Sequence, residues 1–138
     1  MQGSILLIDD DVDLLASIRA ILETEDYEVY TACNADQAKV IVTENEVHIV
    51  IMDYILPELT GDQIVMDLKK IDENLNIIFL SGFPQVYHAV EALEFDVHRI
   101  FLKPVNPELL LSAIRDIYAK QIDPHQFVDT HQVVYEQS

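Results

Sequence analysis

Short apolar runs without polar alternation constrain this chain more than any other feature of its sequence. Ile5-Leu6-Leu7-Ile8 is one, and Val47-His48-Ile49-Val50-Ile51-Met52 is another. A third ends at Leu80 and a fourth at Leu102. A strand with one wet face alternates apolar and polar residues, whereas a strand buried on both faces does not. Such runs therefore predict a parallel sheet covered by helices. A weaker run, Glu28 to Ala32, supplies the remaining strand.

Segments of helical period lie between the runs. Leu15, Ile18 and Leu22 share a face, as do Ala38, Ile41 and Val42, and then Ile64, Leu68 and Ile71. Val86, Ala89, Val90 and Leu93 repeat the pattern, followed by Leu110, Ala113, Ile114 and Ile117. Asp11 and Asn34 are placed to cap the first two helices, and Asp13 suits the first turn of the first. Pro84 is placed to open the fourth helix, and Asn106 with Pro107 and Glu108 to open the fifth. The expectation is an α/β fold, a three-layer doubly wound parallel sheet of five strands. Its domain covers residues 1–120, and residues 121–138 form a C-terminal tail or linker stub.

Crossovers in a parallel sheet are right-handed, so all strands point one way and their carboxyl ends share one edge. That edge collects a distinctive set of groups. Asp9 and Asp10 follow the first run, Asp53 ends the second, Ser81 follows the third and Lys103 the fourth. Clustered carboxylates repel unless a cation joins them, and hard oxygen donors suit Mg2+. Lysine and serine add a positive charge and a hydroxyl donor for an anion. The set describes a phosphoryl site in which one carboxylate can act as nucleophile. Gly61 and Gly82 are expected in loops at this edge, Gly82 leaving an anion room to approach the backbone.

Composition narrows the function classes. The formal charge of −17 excludes direct nucleic-acid binding by this chain, since a phosphate backbone needs a cationic surface. Half the residues are hydrophobic, yet no run approaches the ~18 residues of a membrane span. One cysteine, Cys33, excludes an internal disulfide and fits a reducing, cytoplasmic setting.

These residues resemble the receiver domain of two-component response regulators, from Ser4 to about Lys120. The matching pieces are Leu7-Ile8-Asp9-Asp10, Met52-Asp53-Tyr54-Ile55-Leu56-Pro57 with Gly61, Leu80-Ser81-Gly82, and Phe101-Leu102-Lys103-Pro104. The resemblance implies a flavodoxin-like strand order, 2-1-3-4-5. It implies that Asp53 is the phosphoacceptor in phosphorelay signal transduction, supplied by a sensor histidine kinase or a histidine phosphotransfer protein. It also implies Mg2+ bound by Asp10, Asp53 and the backbone carbonyl of Ile55, with Asp9 acting largely through water. Lys103 would pair with Asp53 and then with the phosphoryl group, Ser81 would move to hydrogen-bond it, and the Lys103–Pro104 bond would be cis. The readout would be the face of the fourth helix, fifth strand and fifth helix. That face also allows a homodimer and serves an unknown output domain or downstream protein.

Four residues tune this expectation. The position three before the lysine often carries a switch aromatic in the family; here it is Ile100, and Phe101 beside it should face the opposite side of the sheet. Ile55 and Phe83, two residues beyond Asp53 and Ser81, stand where fast-decaying members often carry polar groups. Their apolar bulk should shield the phosphoryl group and slow its loss. Catalysis would be limited to the chain's own phosphotransfer and slow autodephosphorylation. Two other functions fit less well. A metal-dependent phosphohydrolase would carry an acid two residues after the nucleophile, where this chain has Ile55. A receiver-like module independent of phosphorylation would not need the intact acid pair, Ser81 and Lys103.

Overall fold

Unalternated apolar runs become the interior of one parallel sheet. A computed structural model describes residues 3–91, 97–122 and 134–136. The elements are β1 (Gly3–Ile8), α1 (Val12–Thr24), β2 (Tyr27–Ala32), α2 (Ala35–Glu44), β3 (Ile49–Asp53) and α3 (Gly61–Ile71). They continue with β4 (Asn76–Ser81), α4 (Val86–Glu91), β5 (Arg99–Leu102), α5 (Pro107–Ile122) and β6 (Val134–Glu136). The sheet order is β2-β1-β3-β4-β5-β6. Its first five strands hold the expected order. A sixth, from the segment read as a tail, pairs in parallel with β5, Arg99 opposite Val134 and Phe101 opposite Glu136. Residues 123–133 and 137–138 of that segment lie outside the described residues.

Successive strand residues point to opposite faces, which divides the core in two. Leu6, Ile8, Val50, Met52, Phe79 and Ile100 pack with residues of α2, α3 and α4. Ile5, Leu7, Ile49, Ile51, Leu80 and Phe101 pack with α1 and α5. Each such side chain contributes about 1.5–3 kcal/mol by leaving water.

Helix signals hold with two exceptions. The Asp11 carboxylate accepts from Leu14 N–H at 3.1 Å, and Asn34 from Gln37 N–H at 2.9 Å. Asn106 does the same for Glu108 N–H at 2.9 Å. Pro84 stands in the turn before α4, its carbonyl accepting from Tyr87 N–H at 3.1 Å. Ile71 is 43% exposed, not buried, because it is the last residue of α3, where the helix overhangs its packing face. Ala89 is also exposed; Val86, Val90 and the half-buried Tyr87 form the inner face of α4. Leu93, expected on that face, lies outside the described residues. Among the described residues no helix is long and apolar enough to cross a membrane.

Candidate functional site

The carboxyl ends of β1, β3, β4 and β5 bring Asp9, Asp10, Asp53, Ser81 and Lys103 to one edge of the sheet. Asp53 closes β3, where its N-terminal neighbours are fully buried and its own carboxylate is only 14% exposed. One oxygen, Oδ1, accepts from the Ile55 backbone N–H at 3.0 Å. The other, Oδ2, accepts from Lys103 Nζ at 2.7 Å. Asp9 is buried, and its Oδ1 accepts from Asp11 N–H at 2.9 Å. Asp10 is exposed.

Lys103 serves two acids. Its Nζ donates to Asp9 Oδ2 at 2.8 Å as well as to Asp53. Burial works against the ammonium, yet hydrogen bonds and charge from Asp53 and Asp9 outweigh it and raise the pKa above the ordinary lysine value. The lysine is therefore cationic throughout the neutral range. Sequence reasoning paired it with Asp53 and missed Asp9, because β3 and β4 separate β1 from β5 in the sheet and only the reach of the lysine side chain brings the two together. The Lys103–Pro104 bond is cis, as the resemblance implied.

One carboxylate oxygen from each of Asp9, Asp10 and Asp53 lies within 4.8 Å of the other two. Three acids against one lysine leave a local excess of negative charge. The all-oxygen donor set and this spacing fit a hard divalent cation such as Mg2+.

Ser81 is fully buried at the end of β4. Its Oγ accepts from Phe83 N–H at 3.0 Å, so the hydroxyl is engaged with its own loop. Phe83 is 51% exposed and Ile55 is 43% exposed, both in loops at the site edge. Ile100 and Phe101 are fully buried in opposite halves of the core, as strand alternation requires.

The loop after Asp53 is held more firmly than its sequence suggests. Ile55 bridges to Thr60, and Leu56 N–H donates to the Leu59 carbonyl at 3.2 Å. The Gln63 carboxamide accepts from Thr60 N–H at 3.0 Å, a contact announced by the Thr-x-x-Gln spacing. Gly61 begins α3 instead of lying in the loop. A Cβ there would meet Phe79 Cε1 at 2.7 Å and Tyr54 Cα at 3.0 Å, so close packing requires the glycine. At Gly82 a Cβ would meet nothing within 4 Å, so no packing contact requires the glycine there. A neighbouring cleft lined by Cys33, Asn34, Leu56, Pro57 and Leu59 contains none of the five site groups.

Comparison with known proteins agrees with this geometry. The model of the response regulator receiver domain matches residues 5–115. The chain is 30% identical over 132 residues to the uncharacterized transcriptional regulatory protein YesN of Bacillus subtilis, covering 92% of this chain and 36% of that protein. It is 27% identical over 115 residues to sporulation initiation phosphotransferase F of the same organism, covering 83% of this chain and 93% of that one. The crystal structure of a response regulator receiver domain protein from Clostridium thermocellum superposes with a TM-score of 0.78 at 31% identity, over 87% of this chain and 97% of that one. The chain spans only about a third of YesN, although it spans nearly all of the phosphotransferase. With the five site groups on one edge and the matched strand order, the chain belongs to the response regulator receiver domain family.

Proposed function

We propose that this chain is a phosphoacceptor that takes a phosphoryl group on Asp53 and changes a protein-interaction surface in response. The observation that carries the reading is the double engagement of Lys103 with Asp53 and Asp9 beside a cluster of three carboxylates. An Asp53 oxygen attacks the phosphorus of a phosphohistidine on a kinase or phosphotransfer protein. The O–P bond forms as the N–P bond breaks, and the donor imidazole takes up a proton. Lys103 then follows the new negative charge, and the Ser81 hydroxyl turns to donate to a phosphoryl oxygen.

Asp10, Asp53 and the Ile55 carbonyl would hold Mg2+, with Asp9 acting through water. When bound, the ion offsets charge on the carboxylates and on the transferred group. The intact acid set, Ser81 and Lys103 favour this reading over a phosphorylation-independent module. The absence of an acid two residues after Asp53 disfavours a phosphohydrolase. The affected surface is the one built from α4, β5 and α5, serving a downstream protein, a linked output domain or a second copy. In domain terms, residues 1–120 would act as the receiver unit and the remainder as its tail.

Incubation with Mg2+ and acetyl phosphate, followed by intact-protein mass measurement, tests the reading. One base-labile phosphoryl adduct per chain, absent in Asp53→Asn, is expected. Release of many phosphates per chain would favour a hydrolase, and no adduct would favour the inert module.

A further inference from the structure

The loop between β3 and α3 closes on itself through one antiparallel bridge, Ile55 with Thr60. Its hydrogen bonds come from the neighbours of the bridged pair. Leu56 N–H donates to the Leu59 carbonyl at 3.2 Å, and Gly61 N–H donates to the Tyr54 carbonyl. Ile55 and Thr60 are therefore a non-hydrogen-bonded pair, whose own amides and carbonyls point away from each other. On one side, Ile55 N–H donates to Asp53 Oδ1 at 3.0 Å. The Ile55 carbonyl shares that side and accepts no hydrogen bond among the described residues. On the other side, Thr60 N–H donates to Gln63 Oε1 at 3.0 Å. The Thr60 carbonyl accepts from Gln63 N–H at 3.1 Å and from Ile64 N–H at 3.4 Å.

The bridge thus joins the first turn of α3 to the phosphoacceptor. Packing fixes the base of the loop: the Tyr54 ring stands edge-on to Phe79 with centroids 5.2 Å apart, and Gly61 fits against both. The rest of the loop has less to hold it. Ile55, Pro57 and Glu58 are exposed, and Leu59 and Thr60 are half-buried. The Thr60 N–H has one partner, the Gln63 carboxamide. Gln63 is itself exposed, so replacing it disturbs no core packing.

We propose that Gln63 is a positioning residue for the cation site. By holding Thr60 it fixes the bridged Ile55, so that the Ile55 carbonyl and the Asp53 carboxylate are set for a divalent cation before one binds. The inference rests on the phosphoacceptor reading, in which that carbonyl is a ligand. Without the carboxamide, Thr60 N–H turns to water and only the two ladder bonds retain the bridge. The loop then spreads over more conformations, of which the cation selects one, and affinity falls by the fraction that is competent. Steps after cation binding are unaffected, because Gln63 touches no reacting atom.

Mg2+ titration of the full chain without phosphodonor, followed by backbone amide resonances at about 0.15 M ionic strength, gives the Kd that tests it. Gln63→Ala raises that Kd about tenfold, the low end of what losing an outer hydrogen bond costs a metal site. Gln63→Glu, whose carboxylate also accepts from Thr60 N–H, binds as the wild type does. In metal-free protein the Leu56 and Gly61 amides exchange faster with solvent in Gln63→Ala, while those of β1 and β4 stay unchanged. With acetyl phosphate, Gln63→Ala is slow at limiting Mg2+ and matches the wild type at saturating Mg2+, a split that lost stability alone would not give. Equal Kd in wild type and Gln63→Ala overturns the inference and leaves the phosphoacceptor reading standing. So does an equal loss in Gln63→Ala and Gln63→Glu. A wild type that neither responds to Mg2+ nor forms the adduct overturns both.

Discussion

The Ser81 hydroxyl oxygen accepts a hydrogen bond from the backbone N–H of Phe83, 3.0 Å away. A hydroxyl that swings to a phosphoryl oxygen on Asp53 must release that N–H. The next anchor in the loop is the Phe83 carbonyl, which accepts from Val86 N–H at the start of α4 at 3.1 Å. Ile100 and Phe101 are both fully buried, so neither is placed to swing outward as a β5 aromatic switch. Motion should therefore pass from Ser81 to Phe83 and α4. With Mg2+ and beryllofluoride, the Phe83 amide resonance should shift strongly in wild type and weakly in Ser81→Ala. An unmoved Phe83 amide in wild type would count against this route.

Ile55 and Phe83 should also set the lifetime of the phosphorylated state. Neither side chain can orient an attacking water, and both stand in loops at the site edge. Replacing them in Ile55→Asn/Phe83→Glu should speed loss of the aspartyl phosphate on the order of tenfold by admitting and orienting water. Decay no slower in wild type than in the double variant would refute the shielding role.

Asp10 is expected to trade stability for metal binding. It is exposed, it lies with Asp9 and Asp53 in one carboxylate cluster, and the lysine of the site bonds the other two. Removing its charge relieves like-charge repulsion of about 1 kcal/mol at this separation. Asp10→Asn should unfold at higher urea without metal, yet should gain less stability from added Mg2+ than the wild type does. A variant less stable than wild type in metal-free buffer would contradict the repulsion argument.

His98 gives the fold an acid-sensitive element away from the site. Burial, followed by the charge of Arg99, lowers its pKa from 6.5 to about 4. Asp116 Oδ2 stands 3.4 Å from Nε2 but makes no hydrogen bond with it, so its raising effect does not offset the burial. Between pH 6.5 and about 4 the unfolded chain binds a proton that the folded chain refuses. Stability from this residue is therefore complete above pH 6.5, falls as pH drops through that window, and levels off below it. The full loss should be about 3 kcal/mol. Urea unfolding at pH 7 and pH 4.5 should show a smaller acid loss in His98→Phe than in wild type. Equal losses would refute the assignment.

Much of the fold and site was legible because buried strands and site groups coincide. Asp9, Asp53, Ser81 and Lys103 announce themselves by ending apolar runs, and right-handed crossovers then place them on one edge. What was not legible depended on contacts between distant segments. The bond from Lys103 to Asp9 and the Ser81–Phe83 hydrogen bond follow from backbone geometry that residue order does not reveal. Ile71 matched the helical period yet lies exposed, because period does not say where a helix outruns its sheet. The strand Val134–Glu136 is too short to show alternation, and its partner lies more than thirty positions earlier.

The most direct measurement of the central claim is chemical location of the phosphoryl group. Protein treated with Mg2+ and a small phosphodonor is reduced with borohydride, which converts an aspartyl phosphate to homoserine, and then digested and sequenced by mass. The account predicts homoserine at position 53 alone, with Asp9, Asp10 and every other acid unchanged. Homoserine at another acid, or none at position 53 while phosphate is turned over, would contradict it.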